Sequence, residues 1–146
     1  MTKTKTTVNL FTKDKPMKLR SVLIIDNEEI DLFISKRVLV MDDFADNVYT
    51  ETSVRSALHF LKTTKDIPEL ILVDLKMDDM DGLDFLNEFQ KLPKNINEKC
   101  KVVLLSAYIN YYDYEVMQIK QHKYSSGVLE KPLNVVELFE MVMANK

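Results

Sequence analysis

Three apolar runs and one mixed run in this chain each lead into residues that can do chemistry. Val22-Leu23-Ile24-Ile25 leads into Asp26, Leu70-Ile71-Leu72-Val73 into Asp74, Val102-Val103-Leu104-Leu105 into Ser106, and Ser126 to Leu129 into Glu130-Lys131-Pro132. Asn27 and Glu28 stand beside the first of them. Two carboxylates, a hydroxyl and an ammonium in one place would bind and transfer an oxyanion. Crowded carboxylates repel, and without compensation one of them takes up a proton. A hard divalent cation removes that conflict: Mg²⁺ accepts oxygen ligands, keeps several waters, and is usually held by one or two carboxylates plus phosphate oxygens. An ionised Asp is also a nucleophile toward phosphorus, forming an aspartyl phosphate. The transferring group then needs its equatorial oxygens neutralised. Lys131 would offer a point charge to one oxygen, Ser106 a donor to another, and the cation would take the third. A strand-end Asp by itself more often caps a turn; it is the set of four that points to a site.

The elements that must position these residues follow from hydrophobic period. Val22–Ile25 and Leu70–Val73 are continuous apolar runs, as strands buried on both faces require. Between them Ile30, Phe33, Ile34, Val38 and Met41 fall at helical spacing, behind Glu28, Glu29 and Asp31, which suit the positive end of a helix dipole. These five are expected to face the core. Asn47 to Glu51 predicts a short strand, and Val54, Ala57, Leu58 and Leu61 a second helical stripe capped by Thr52 or Ser53. A third helix, opening near Gly82 and ending before Pro93, turns Leu83, Leu86 and Phe89 inward. Asn110 to Gln121, rich in tyrosine, predicts a fourth helix, Ser126–Leu129 the last strand, and Asn134 with Glu137 a capping box for a fifth helix. Five strands alternating with five helices define an α/β fold, a doubly wound parallel sheet with helices on both faces. Such sheets bind ligands beyond the carboxyl ends of their strands, which is where Asp26, Asp74, Ser106 and Lys131 fall.

Composition narrows the chemistry. The chain has 146 residues, enough for one ordinary domain. Its two glycines, Gly82 and Gly127, cannot build a phosphate-wrapping loop, so P-loop and GxGxxG sites are excluded. One cysteine, Cys100, and two histidines, His59 and His122, exclude internal disulfides and Cys/His zinc sites. Cys100 is expected as a small packed residue, His59 as a partly exposed helical residue and His122 as solvated. Residues 1–20 carry six Lys/Arg against Asp14, a local charge of +5, so the total of −3 leaves −8 on the rest. An acidic body argues against direct nucleic-acid binding. The sequence shows no apolar run of membrane-spanning length and no signal-peptide core, so no membrane contact and a cytoplasmic location are expected. Residues 1–18 are expected as a flexible basic N-terminal tail, and residues 19–146 as the folded domain.

The ordered set Ile25-Asp26-Asn27-Glu28, Val73-Asp74-Leu75-Lys76-Met77-Asp78-Asp79-Met80-Asp81-Gly82, Leu105-Ser106-Ala107 and Glu130-Lys131-Pro132 resembles the receiver domain of two-component response regulators, over about residues 20–146. The resemblance implies a flavodoxin-like sheet of strand order 2-1-3-4-5 and a cis Lys131–Pro132 bond. It implies Asp74 as phosphoacceptor, and a Mg²⁺ (or Mn²⁺) site on Asp26, Asp74 and the Lys76 backbone carbonyl, with Asn27 or Glu28 as an open further ligand. It implies Ser106, Ala107 and Lys131 as phosphate-binding residues. A sensor histidine kinase or histidine phosphotransfer protein would be the donor. A downstream protein would be contacted through the face of the fourth helix, fifth strand and fifth helix. Asn27 replaces the family's usual second acid, Asp78 its usual proline, and Val128 its aromatic switch residue, so any switching needs other groups. Tyr108 and Tyr111 are candidates for switch or output. The chain then reads as a stand-alone receiver. Two rivals are a phosphorylation-independent binding module, which Asn27 and Val128 favour, and a Mg²⁺-dependent phosphohydrolase, which Lys76 disfavours because such enzymes commonly carry an acid there.

Overall fold

The computed structural model describes residues 18–144. The expected tail, residues 1–18, lies outside the described residues except for Lys18, whose Nζ pairs with Asp43 Oδ1 at 2.8 Å and Asp46 Oδ1 at 3.1 Å. Five parallel strands form one sheet: β1 (Leu19–Ile25), β2 (Ala45–Glu51), β3 (Leu70–Asp74), β4 (Lys101–Ser106) and β5 (Ser125–Glu130), in the order 2-1-3-4-5. The helices are α1 (Glu29–Met41), α2 (Val54–Thr63), α3 (Gly82–Phe89), α4 (Tyr114–Gln121) and α5 (Val135–Ala144); a single helical turn at Lys94–Asn97 precedes β4. The expected fold class and strand order therefore hold.

Side chains alternate across the sheet and divide the core in two. Leu23, Ile25, Ile71, Val73, Val102 and Leu104 pack under α2, α3 and α4 with Ala57, Leu61, Phe85, Phe89, Val116 and Ile119. Val22, Ile24, Leu70, Leu72, Val103 and Leu105 face the other way, toward Leu39 of α1 and Leu138 and Val142 of α5. With both faces covered, β1, β3 and β4 are buried almost end to end, which is why they read as unbroken apolar runs.

Helix α1 corrects an expectation. Its buried residues are Ser35 and Leu39, with Leu32 and Val38 packed against the same core, whereas Ile30 (74% exposed), Phe33 (63%), Ile34 and Met41 (71%) face away from it. Apolar residues lie on more than one side of this helix, so helical spacing did not say which side meets the sheet, and of the five expected inward only Val38 packs there. Arg37 lies over the Phe33 ring at 5.9 Å on that outer face.

The other helices start where side chains cap them. Ser53 accepts from Ser56 N and opens α2. Asp81 and Asp84 form a reciprocal capping box at α3. Helix α4 begins at Tyr114, four residues later than expected, because Asn110 Oδ1 accepts from Tyr112 N in a turn and Asp113 accepts from Glu115 N as the cap. Asn134 Oδ1 accepts from Glu137 N at the head of α5. His122, expected to be solvated, is half-buried: its Nδ1 accepts from Tyr124 N and its Nε2 lies 3.3 Å from Asn87 Oδ1. Burial lowers its pKa. Cys100 is buried, as expected.

Candidate functional site

All four strand-end residues arrive at one edge of the sheet: Asp74, Ser106 and Lys131 line a cavity of about 520 Å³ there, with Asp31, Ala107 and Tyr108 among others, and Asp26 meets Lys131 beside it. Parallel pairing sets the heights: Asp74 lies opposite Leu105 across β3–β4, and Ser106 opposite Glu130 across β4–β5. Gly82 allows this closeness. A Cβ there would sit 2.6 Å from Leu104 Cδ1 and 3.1 Å from the Asp74 carbonyl, so α3 packs directly behind the Asp74 backbone only because residue 82 has no side chain.

Lys131 is the centre of the charge arrangement. Its Nζ lies 2.9 Å from Asp26 Oδ2, 2.9 Å from Asp31 Oδ2 and 3.0 Å from Asp74 Oδ1. An ammonium has three donors, and here each has a carboxylate partner. The side chains are 13% exposed for Lys131, 2% for Asp26, 8% for Asp74 and 40% for Asp31. Burial works against the Lys131 charge, but Asp31, Asp26 and Asp74 outweigh it and hold its pKa above the ordinary lysine value. Burial also dominates at Asp74, where it raises the pKa against the pull of Lys131, with Asp26 and Asp31 adding repulsion. The backbone fixes the frame: Glu28 N donates to Asp26 Oδ1 at 2.9 Å, Lys131 N to the Ser106 carbonyl at 2.7 Å, and the Lys131–Pro132 peptide is cis, as the resemblance implied.

The remaining candidates are placed unevenly. Glu28 is exposed and lines the Asp74 cavity, whereas Asn27 lines a neighbouring groove with Ser53, Met77 and Asp79. Lys76 lines the cavity but its Nζ pairs with Glu115 Oε1 of α4 at 2.6 Å, which raises its pKa. Ser106 is buried and its hydroxyl is already engaged, donating to the Tyr108 carbonyl at 2.8 Å and accepting from Tyr108 N at 3.2 Å. It must rotate before it can serve a bound anion. Ala107 is exposed at the rim. Val128 is buried in the core and carries no polar group toward the site. Tyr108 and Tyr111 are exposed, as are Tyr112, Tyr114 and Met117. Asp31 is the residue that sequence reasoning assigned elsewhere, to the helix dipole. Its position in the first turn after β1 was the available signal, because that turn sits on the carboxyl edge.

Among the described residues no three Asp, Glu, His or Cys side chains by themselves form a metal cage. The donor set nevertheless suits Mg²⁺, which needs few protein ligands and fills its shell with water and phosphate. The three carboxylates share one ammonium, and the surplus negative charge calls for a further cation. A second cavity of about 520 Å³ lies at the opposite edge, around Leu19, Asn97 and Tyr124, and holds none of these groups.

An open 2-1-3-4-5 sheet with an Asp–Asp–Lys cluster at its carboxyl edge defines a domain of the flavodoxin-like class with an acidic pocket. Comparison with known proteins makes this specific. The profile of the response regulator receiver domain matches residues 22–143. The transcriptional regulatory protein HptR of Staphylococcus aureus is 29% identical over 118 residues, covering 80% of this chain and 42% of that protein. The aerobic respiration control sensor protein ArcB of Escherichia coli is 28% identical over 133 residues, 88% of this chain and 15% of that one. The chain thus spans less than half of either relative. Among solved structures, a response regulator receiver protein from Dyadobacter fermentans superposes with a TM-score of 0.77 at 24% identity, covering 86% of this chain and 96% of that one. A two-component response regulator from Cytophaga hutchinsonii gives 0.77 at 23%, covering 88% and 99%. The chain belongs to the response regulator receiver domain family. Receiver domains interact with histidine kinases or phosphotransfer proteins and generally bind Mg²⁺ in their acidic pocket. Among the described residues no helix is long and apolar enough to cross a membrane.

Proposed function

We propose that this chain accepts a phosphoryl group on Asp74 from a phosphohistidine, carried by a sensor histidine kinase or a histidine phosphotransfer protein, and signals through protein contacts. The observation that carries this reading is the Lys131 ammonium, 3.0 Å from Asp74 Oδ1 in a cavity that Ser106 also lines, with Asp26 Oδ2 2.9 Å from the same nitrogen. An Asp74 oxygen attacks phosphorus, the P–N bond breaks, and its electron pair leaves on the imidazole nitrogen, which takes a proton from water. Lys131 stays beside the new acyl phosphate and offers it charge as its other partners release donors. The Ser106 hydroxyl turns from the Tyr108 carbonyl to a phosphoryl oxygen. A Mg²⁺ or Mn²⁺ held by Asp26, Asp74 and the Lys76 carbonyl, with Asn27 or Glu28 beside them, would neutralise the developing charge.

Output is proposed to run through the face of α4, β5 and α5, where Tyr111, Tyr112, Tyr114 and Met117 offer rigid, amphipathic anchors. Ser106 ties the conformation of residues 106–108 to phosphorylation, so Tyr108 is the proposed switch residue. The folded unit is proposed to span residues 19–146. A second reading, a receiver-like module that binds partners without phosphate, is favoured by the engaged Ser106 hydroxyl and the buried Val128. Incubation with acetyl phosphate and Mg²⁺, read by intact mass, separates the two. Addition of one phosphoryl group, abolished by Asp74→Asn, supports the phosphoacceptor reading. No addition supports the module.

A further inference from the structure

We propose that Asp31 is a positioning residue of this pocket: by sharing the Lys131 ammonium with Asp26 and Asp74, it supplies the negative charge that Asn27 does not. This rests on the cation-assisted phosphoacceptor reading above. Asp26 and Asp74 together carry two negative charges, and an undivided Lys131 would leave the pair with one. With Asp31 included the four groups sum to −2, the charge that one divalent cation neutralises. The geometry makes the sharing real, because Asp26 Oδ2 and Asp31 Oδ2 each lie 2.9 Å from the same nitrogen. The two oxygens are therefore within about 6 Å of each other. Asp31 is fixed there by its place in the first turn of α1, immediately after the β1 edge, while Asn27 lines the neighbouring groove.

Two effects then act in the same direction. Asp31 attracts a cation in the pocket, and it draws Lys131 away from competing for Asp26 and Asp74. Removing its charge weakens both. Were a divalent ion to sit at a comparable separation of about 6 Å, a unit charge would change its affinity by about tenfold even at the dielectric constant of water.

The test is Mg²⁺ titration of the full chain, followed by backbone amide shifts, for the wild type, Asp31→Asn, Asp31→Glu, Asn27→Asp and the double variant Asn27→Asp/Asp31→Asn. Asp31→Asn should weaken binding by about tenfold, Asp31→Glu should stay within about threefold of wild type, and the double variant should return to about the wild-type value. Urea midpoints taken without cation distinguish weaker binding from a damaged fold. Wild-type affinity in Asp31→Asn, or a double variant as weak as Asp31→Asn, overturns the role of Asp31 and leaves the phosphoacceptor reading standing. No saturable Mg²⁺ binding by the wild type in the millimolar range overturns both. Normal Mg²⁺ behaviour across the series, with no modification of Asp74 by acetyl phosphate, overturns the phosphoacceptor reading alone.

Discussion

Lys131→Met removes the ammonium that three carboxylates share and keeps the length and most of the apolar stem of the side chain. The remaining groups are not alike. Asp26 and Asp74 are nearly closed to water, at 2% and 8% side-chain exposure, whereas Asp31, at 40%, can turn outward. Stripping one partner from a buried ion pair costs about 3–5 kcal/mol. The freedom of Asp31 places this case near the lower end, at about 3 kcal/mol at pH 8 without divalent cations. That corresponds to a fall in melting temperature on the order of 10 °C for a domain of this size. The pH dependence has a definite sign. Burial already raises the Asp74 pKa in the fold, and losing Lys131 raises it further. A carboxyl group with a raised folded pKa contributes stability that is present below its unfolded pKa and lost as pH rises through the folded one. The deficit of Lys131→Met should therefore shrink toward pH 4 and widen toward pH 8. Mg²⁺ at a hundredfold its dissociation constant should return about 2.7 kcal/mol. Urea unfolding by far-ultraviolet circular dichroism at both pH values, with and without Mg²⁺, makes the measurement. A deficit below about 1 kcal/mol at pH 8, or one that grows on acidification, would refute the charge assignment.

Three further outcomes follow from the same geometry. Asp74→Asn should be more stable than the wild type at pH 7 without Mg²⁺, with the gain fading toward pH 4, because the substitution removes a buried carboxyl group whose ionisation opposes folding; thermal melts across that range check it. Gly82→Ala should lose about 1–3 kcal/mol in urea unfolding, since the new methyl group meets Leu104 Cδ1 and the Asp74 carbonyl, and an unchanged midpoint would mean that α3 is free to shift. Cys100, whose pKa burial pushes up to about 12, should resist thiol reagents in the native protein at pH 8 and react once urea unfolds it; rapid native labelling would contradict its burial.

Three strand ends were legible because a strand covered on both faces must be apolar throughout, so Asp26, Asp74 and Ser106 stood out as the first residues released from that constraint, while Lys131 follows the half-buried β5. Their convergence followed from parallel topology. Three features were less accessible, each because it depends on a direction in space that the residue order does not carry. Asp31 suits a helix dipole as well as a pocket, and only the orientation of α1 assigns it to Lys131. The Ser106 hydroxyl has a free rotor, and the neighbouring Tyr108 backbone holds it. The start of α4 hinges on whether Asn110 and Asp113 bond to the backbone ahead of them, which they do.

The two greasy sides of α1 bear on how the chain finds its fold. Burial of apolar surface is non-directional, so it cannot tell Leu39 and Val38 from Phe33 and Ile34 as the side to be laid on the sheet. Directional bonds can: the Glu28 amide on Asp26 and the Asp31 carboxylate on Lys131 hold only one roll angle of the helix. The pocket is then also an alignment pin, and a chain stripped of its charges would be left to choose between two rotations of its first helix.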